Sequence, residues 1–356
     1  MWERQTALLL KVVGSADARE GAAAFVEKRP PVWQGSSVRF ATFVHDGTER
    51  GGVVVGDAVH PLPDGGTVLQ LVQAGLPAAL AAGEAAAGSA AVPLAAVRLR
   101  PPLRPPTVRD FFTFEEHVEG AMRSVSPGAT VAPEWYDAPT FYFTNPHTLV
   151  GSGDDVAVPA GCTLLDYELE VAAVIGRDGR DLSPEQARDH VFGYAIFNDW
   201  SARDLQRREM RVGLGPCKGK DFAGTLGPWI TTADELEPLR DAAGLLGLDM
   251  TVSVNGRQVG RDLLSHMAWS FEDLVAYASR SSLVRAGDVL GSGTCGGGGC
   301  LAELWGRSGI QEPPPLRPGD VVTMTVQGLG TIANRVVASG AAPTVPPARR
   351  RPAPPS

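Results

Sequence analysis

Residues 165–176 read LDYELEVAAVIG, and this run of alternating and then continuous apolar residues predicts a largely buried β-strand. Side chains two positions apart project from the same face of a strand, so we expect Glu168 and Glu170 to lie side by side. Adjacent carboxylates repel each other unless a cation or a proton lies between them. Spacing alone is also compatible with a solvated strand face. The apolar continuation VAAVIG instead favours a buried pair, which normally binds a metal or shares a proton.

Two further carboxylates are candidates for the same site. The next apolar strand, GYAIF at 193–197, runs directly into Asn198-Asp199-Trp200, which places Asp199 at the end of a strand. Asp110 is a fourth candidate, in the segment VRDFF. Donor sets made only of oxygen suit Mg²⁺, Mn²⁺ or Ca²⁺. The sequence therefore predicts an oxygen-rich site for a divalent cation.

Two glycine-containing loops lie downstream of these strands. The first, GPCKGKDF at 215–222, carries two lysines. Most loop lysines are solvated, but one beside a carboxylate cluster could bind a substrate carboxylate or enolate oxygen. The second, GSGTCG at 291–296, matches the pattern G-x-G-x-x-G, yet no long amphipathic helix follows it. We therefore expect close approach of its backbone to a substrate, and not nucleotide binding.

The distribution of strands, helices and prolines predicts an α+β fold that is mostly β. Short strands bounded by glycine outnumber helical patterns, and the chain contains 42 glycines and 29 prolines. We divide the chain into a helical extension at 1–36, a small N-terminal α/β domain at 37–105, a catalytic domain at 106–341 and a disordered tail at 342–356. The first boundary rests on composition, the second on the proline-rich hinge near residue 105, and the third on the Pro/Ala-rich end.

Composition excludes several classes of protein. The 356 residues carry a formal net charge of −8, which argues against a nucleic-acid-binding surface. No apolar run is long enough to span a membrane. Four cysteines make no disulfide framework, so we expect free thiols in a reducing cytoplasm.

With these residues in view, the chain from about 38 to 340 resembles the fumarylacetoacetate hydrolase family. The likeness is carried by LDYELE at 165–170, FNDWSARDLQ at 197–206, the GPCKGKDF loop and LGPW at 226–229, which occur in family order and near-family spacing. The resemblance implies a mixed β-roll with a smaller N-terminal domain, usually forming a homodimer. It also implies a bound divalent metal, with Mg²⁺ expected first and Mn²⁺ or Ca²⁺ next, and a small-molecule 1,3-diketo or 2-oxo acid substrate of aromatic catabolism.

The resemblance also implies roles for individual residues. The metal ligands would be Asp110, Glu168, Glu170 and Asp199; the catalytic residues would be His117, Glu303 and Lys220; the substrate contacts would be Gln206, Tyr142 and Thr294. His117 would act as the base, with Glu303 orienting it. From the residues alone, by contrast, a lone histidine in FFTFEEHVEGAM is more often structural.

The chain departs from the family pattern at several positions. The acylpyruvase branch uses a His-x-x-Glu dyad, but the fourth position here is Gly120. Two tyrosines that contact substrate in the hydrolase are replaced by Phe112 and Met210, and the hydrolase arginine after the histidine has no counterpart, Arg123 being only nearby. These departures concern the substrate and leave the metal ligands intact.

The first reaction that we consider is hydrolysis of a C–C bond. The alternatives are a 2-oxo acid hydratase, decarboxylase or isomerase that uses the same metal site, and a non-catalytic metal-binding or scaffolding protein. A separate resemblance covers residues 1–35, which look like the C-terminal end of enoyl-CoA hydratases (crotonases) without any of their active-site core. We expect no acyl-CoA chemistry from that segment, and a short docking helix is the other interpretation.

Overall fold

The structure is a computed structural model that describes residues 38–125 and 128–351. Every element given below belongs to one compact unit, residues 39–356. The extension predicted at 1–36 lies outside the described residues, as does the end of the tail beyond residue 351.

The strands of the described residues are β1 Arg39–His45, β2 Thr48–Val55, β3 Ala58–Pro61, β4 Val92–Pro93, β5 Arg98–Arg100, β6 Val108–Phe111, β7 Phe141–Thr144, β8 Leu149–Val150, β9 Asp155–Ala157, β10 Leu165–Asp166, β11 Leu169–Ile175, β12 Val191–Asn198, β13 Ser201–Ala202, β14 Gly224–Thr232, β15 Asp249–Val254, β16 Arg257–Leu263, β17 Val289–Gly291, β18 Val321–Val326 and β19 Gly330–Val337. The α-helices are α1 Val68–Ala74, α2 Leu76–Ala87, α3 Glu115–Val125, α4 Pro184–Arg188, α5 Arg203–Met210, α6 Ala233–Leu236, α7 Phe271–Ser279 and α8 Leu301–Ser308. Strands predominate among these elements, which confirms the predicted α+β, mostly β fold class.

Most of the strands belong to one large mixed sheet. Its order is β4-β3-β2-β1-β14-β12-β11-β17-β6-β7, with β5 paired to β1 and β8 paired to β14. Strand β1 is antiparallel to β14, so the strands before residue 101 continue the same sheet as the later ones. A five-stranded sheet has the order β16-β15-β18-β19-β9, and β10 pairs with β13 separately.

The core lies between the large sheet and the five-stranded sheet. Val171 and Ala173 of β11 belong to one buried apolar cluster with Met250 of β15 and Met324 of β18. Strands β11 and β12 are buried at every position, which explains why they read as continuous apolar runs and not as alternating ones. Glu170 alternates with these apolar residues, so its side chain lies on the opposite face of β11.

The strand predicted over 165–176 is interrupted, which differs from the sequence expectation. Between β10 and β11, the Tyr167 amide donates to Asp166 Oδ1 at 2.8 Å and the Glu168 amide donates to Asn198 Oδ1 at 3.0 Å. Side chains therefore satisfy these amides in place of a neighbouring strand, and Glu168 immediately precedes β11 instead of lying within it.

The alanine-rich segment after β3 forms two helices. Gly75, at φ +90°, separates α1 from α2. A residue at positive φ departs from helical geometry, so the helix ends there. Glycine adopts this conformation without steric cost. None of the helices in residues 38–125 and 128–351 combines the length and apolar character that a bilayer crossing requires.

Candidate metal and acid–base site

Four buried carboxylates meet on one face of the large sheet. Asp110 lies in β6, Glu170 in β11, Glu168 just before β11, and Asp199 just after β12. One carboxylate oxygen from each lies within 4.8 Å of the others. The strands that supply them are neighbours in the order β12-β11-β17-β6, so the sheet itself brings together residues that are far apart in the sequence.

Gly291 provides the space in which two of these carboxylates approach each other. It ends β17, directly opposite Asp110 in β6. A Cβ atom at this position would lie 2.4 Å from Asp110 Oδ1 and 2.9 Å from Glu170 Oε2. Any larger residue would therefore push the two acids apart. We expected a substrate to approach the backbone of the glycine loop at 291–296, but at Gly291 the groups that approach it are the carboxylates of Asp110 and Glu170.

Two cationic side chains contact the carboxylates. Lys220 Nζ lies 2.6 Å from Glu168 Oε2 and 2.6 Å from Asp199 Oδ2. Arg203 Nη2 lies 2.7 Å from Glu168 Oε1, and its Nε donates to Asp166 Oδ2 at 2.9 Å. When all four acids of the cluster are ionised, these two cations leave at least two negative charges uncompensated.

Burial and mutual repulsion oppose this excess charge. Burial, and then the charge of Asp199, raises the pKa of Asp110 well above its ordinary value. Burial, and then Asp110, likewise raises the pKa of Glu170. Burial also raises the pKa of Asp199, although Lys220 opposes the shift. At Glu168 the ion pairs with Lys220 and Arg203 outweigh burial, and its pKa is lowered.

The donor set fits a hard divalent cation. Asp110 Oδ1 and Asp199 Oδ1 are buried and have no hydrogen-bond partner. Buried carboxylate oxygens are seldom left unsatisfied, and an ion is one of the few groups that can satisfy them. A set of four carboxylates is typical of Mg²⁺, Mn²⁺ or Ca²⁺, whose charge would offset the excess negative charge of the cluster.

A histidine–glutamate pair lies next to the carboxylates. His117, in the first turn of α3, is buried, and its Nδ1 lies 3.6 Å from Glu303 Oε2. The other oxygen of Glu303 accepts the Gly298 amide at 3.3 Å and lies 2.8 Å from Arg307 Nη2. These contacts fix Oε1 of Glu303. Its Oε2 has no hydrogen-bond partner that would compete with the imidazole.

Two glycines allow α3 and α8 to approach closely enough to form this pair. A Cβ on Gly120 would lie 2.6 Å from Glu303 Cγ, and one on Gly306 would lie 2.0 Å from the Gly120 carbonyl oxygen. The space that a glutamate side chain at position 120 would occupy in a His-x-x-Glu dyad is thus filled by the side chain of Glu303. An acid from a distant segment occupies the space next to the histidine.

The three expected substrate contacts lie around the carboxylates. Tyr142, opposite Asp110 in β7, donates its hydroxyl to Asp199 Oδ2, and burial followed by the charge of Asp199 raises its pKa. Thr294 Oγ1 lies 3.4 Å from Glu170 Oε1. Gln206, on α5, is half-buried and accepts from Arg203 Nη1 at 3.1 Å.

Sequence reasoning assigned no role to Asp166, Arg203 or Cys300. Asp166 accepts the Leu301 and Ala302 amides at 2.8 and 3.0 Å, so it caps the helix that carries Glu303 as well as binding Arg203. Asp166 and Arg203 lie in the family motifs LDYELE and FNDWSARDLQ, so the sequence did contain a signal for these two residues. Arg203 is 37 residues from Asp166, and Asp166 is 136 residues from Ala302, separations that a linear motif does not indicate.

A comparison with protein families identifies the chain. The model for the C-terminal domain of fumarylacetoacetate (FAA) hydrolase matches residues 107–337, the segment that supplies all four carboxylates and the histidine–glutamate pair. The chain belongs to the fumarylacetoacetate hydrolase family. The family resemblance noted in the sequence is thereby confirmed.

Similar proteins within the family carry different activities in their names. A fumarylacetoacetase of Arabidopsis thaliana is 31% identical over 292 residues, which cover 65% of this chain and 69% of the plant protein. An oxaloacetate tautomerase of Bacillus subtilis (strain 168) is 35% identical over 200 residues, which cover 56% of this chain and 61% of the bacterial protein. The chain thus matches between about three fifths and seven tenths of the length of these relatives.

Solved structures of the family share the fold. A fumarylacetoacetate hydrolase from Exiguobacterium antarcticum superposes with a TM-score of 0.67 at 27% identity. A maleylpyruvate hydrolase from Sphingobium sp. SYK-6, in complex with manganese(II) ion and pyruvate, gives a TM-score of 0.64 at 26% identity. Both matches cover 85% of this chain and 100% of the other. The expected family fold is therefore confirmed.

Proposed function

We propose that this protein is a divalent-metal-dependent hydrolase that cleaves a C–C bond in a 1,3-diketo acid of the fumarylacetoacetate or acylpyruvate type. The observation that carries the proposal is the pairing of a buried four-carboxylate cluster with an adjacent His117–Glu303 pair. A metal site alone would serve several reactions, but hydrolysis also needs a base that activates water.

Asp110, Glu168, Glu170 and Asp199 would hold the cation. When bound, the cation supplies Lewis-acid polarisation of the substrate carbonyl. Lys220 favours the ionised forms of Glu168 and Asp199 through two short contacts, which use two of the three N–H bonds of its ammonium group. The third N–H bond of Lys220 remains available to donate to the enolate oxygen. Lys220 would thereby stabilise the negative charge on that oxygen, as the donors of an oxyanion hole do.

His117 would take a proton from water as the water oxygen bonds to the distal carbonyl carbon. In an acylpyruvate, the bond between that carbon and its neighbour then breaks, and its electron pair remains on the 2-oxo acid fragment as an enolate. Protonation of the enolate carbon completes the reaction and yields a carboxylic acid and a 2-oxo acid. Glu303, fixed by Arg307 and the Gly298 amide, stabilises the imidazolium while it carries the proton.

A second candidate is enolate chemistry without attack by water. The tautomerase relative supports it, as does a 5-carboxymethyl-2-hydroxymuconate delta-isomerase structure from Mycobacterium smegmatis at 26% identity and a TM-score of 0.61. Hydration or decarboxylation of a 2-oxo acid would use the same carboxylates and Lys220. The presence of a buried, acid-paired histidine favours hydrolysis over these reactions.

Product analysis of an acylpyruvate panel with Mg²⁺ tests the proposal. We expect pyruvate and a free carboxylic acid in equal amounts, with turnover abolished by a chelator and restored by Mg²⁺ or Mn²⁺. The panel should vary only the acyl group, because Phe112 and Met210 replace the tyrosines of the hydrolase pattern. A hydroxylated or decarboxylated 2-oxo acid, or isomerisation without cleavage, would transfer the assignment to the second candidate.

A further inference from the structure

A second group of donor atoms adjoins the carboxylate cluster and includes nitrogen and sulfur. A ring nitrogen of His117, a carboxylate oxygen of Glu168 and the Cys300 sulfur lie within 4.8 Å of one another, and all three side chains are buried. Cys300 precedes α8, where its sulfur accepts the Glu303 amide at 3.4 Å. Glu168 therefore belongs both to an all-oxygen group and to a mixed group.

The sulfur–nitrogen distance in the mixed group matches the coordination geometry of zinc. Cys300 Sγ lies 3.7 Å from His117 Nδ1. Zinc binds sulfur at about 2.3 Å and imidazole nitrogen at about 2.0 Å, so two such ligands on a tetrahedral ion are about 3.5 Å apart. Glu303 Oε2 lies 3.6 Å from the same nitrogen and has no hydrogen-bond partner, so a further donor is in reach.

We propose that His117, Cys300 and Glu168 form an inhibitory site for a borderline-soft divalent cation of the zinc type. The donor chemistry separates this site from the four carboxylates, because thiolate and imidazole select zinc-like ions whereas carboxylates suit magnesium and manganese. Binding would displace the thiol proton of Cys300 to solvent, as thiolate coordination requires. The site would be occupied when zinc is in excess, with Glu168 shared between the two ions and the hard cation held also by Asp110, Glu170 and Asp199.

Occupancy would switch off the base. With an ion on one ring nitrogen of His117, the other nitrogen of the neutral ring carries the proton, so no lone pair remains to accept a proton from water. An ion on Nδ1 would also separate that nitrogen from Glu303, whose charge stabilises the imidazolium. This inhibitory consequence rests on the proposed hydrolase function, whereas the binding site itself does not.

Cobalt(II) is a spectroscopic probe of the site that requires no turnover. The Mg²⁺-saturated protein is titrated with Co²⁺, and we expect a near-ultraviolet thiolate-to-metal charge-transfer band that saturates at a single equivalent. The carboxylate cluster contains no sulfur and cannot produce this band. Cys300→Ser is expected to abolish it. Cys295→Ser is the matched control and is expected to retain it, because Cys295 is buried in the same loop but is outside the donor group.

A zinc-inhibition assay provides the second arm. We expect the zinc concentration that halves the rate to rise at least about 10-fold in Cys300→Ser relative to Cys295→Ser, each measured against its own zinc-free rate. The fold of Cys300→Ser is checked by its melting curve, and Cys300→Ala replaces it if serine unfolds the protein.

Two results would overturn the proposal. One is the absence of a charge-transfer band in the folded wild-type protein, which depends on no variant. The other is a band that survives in both Cys300 variants, which would place the metal on another cysteine. Because absorption does not depend on catalysis, either failure is distinguishable from a failure of the proposed reaction.

Discussion

Replacement of His117 by alanine is expected to lower kcat for acylpyruvate cleavage by about 10²–10⁴ while Mn²⁺ affinity stays within a few-fold of wild type. The reason is the position of the imidazole, which is buried beside Glu168 and has an unpartnered Glu303 oxygen 3.6 Å from Nδ1. Glu303→Gln is expected to reduce kcat in the same direction by a smaller factor, because it removes the charge that stabilises the imidazolium but retains the side-chain volume.

His60→Ala is the matched control for this measurement. His60 lies on β3, near the opposite end of the large sheet from β6, and its Nδ1 is 3.0 Å from the Ser89 carbonyl oxygen. Its replacement is expected to leave kcat unchanged. Wild-type kcat in His117→Ala would remove the histidine from the mechanism and favour the enolate-only reactions, whose central requirement is the metal.

Replacement of Glu170 by glutamine is expected to weaken Mn²⁺ binding by at least about 10–100-fold, which is the effect usually seen on removing even an outer-shell partner of a metal ligand. Glu170 belongs to the cluster and lies, with Asp110, against Gly291. Titration calorimetry on metal-free protein measures the effect. Glu272→Gln is the control, because Glu272 is a buried acid paired with Arg240 at 2.7 Å and outside the cluster. Equal affinities in Glu170→Gln and wild type would eliminate Glu170 as a ligand.

The pH dependence of metal binding follows from the raised pKa values of Asp110, Glu170 and Asp199, which burial causes. These acids hold protons at pH values where free carboxylates are ionised, and the cation must displace those protons. Apparent Mn²⁺ affinity is therefore expected to rise with pH across the range in which they titrate.

In the metal-free protein the same pKa shifts have the opposite consequence for folding stability. A raised acid pKa means that the folded state binds more protons than the unfolded state, so this contribution to stability falls as pH increases.

Metal affinity and the stability of the metal-free protein both depend on pH, so the change in Tm on metal binding depends on pH as well. The rise in Tm on adding saturating Mn²⁺ is expected to be larger at about pH 8 than at about pH 6, because the metal then relieves more of the repulsion among the carboxylates. A Tm increase that is independent of pH would mean that the cation is bound by groups whose protonation does not change in this range.

Local pattern was enough to predict much of the site. The apolar runs at 169–175 and 191–198 are indeed adjacent buried strands, and Glu170 and Asp199 lie where those runs place them. The expectation for Glu168 was less accurate, because side chains bond the backbone between Tyr167 and Glu168 and end the strand there. Hydrophobic periodicity reports which residues are buried, but it carries no signal for an amide that is satisfied by a side chain 30 residues away.

The arrangement around Glu303 could not be derived from the sequence in this way. Its contact with His117 depends on Gly120 and Gly306, which let two helices approach across 186 residues of chain. A glycine in a helical pattern predicts weaker helix propensity, and only the packing reveals that it makes space for a partner. The family resemblance suggested the pair, and the structure supplies the physical reason that it forms here from Glu303 and not from position 120.

The proposed function requires that Asp110, Glu168, Glu170 and Asp199 bind one divalent cation. Anomalous diffraction from crystals grown with Mn²⁺ locates such a cation. We expect one strong peak about 2.2 Å from carboxylate oxygens of these residues, and its loss in Glu170→Gln crystals grown in the same way. No peak among the four carboxylates in crystals of the wild-type protein saturated with Mn²⁺, with Lys220 still bridging Glu168 and Asp199, would show that these residues do not form a metal site.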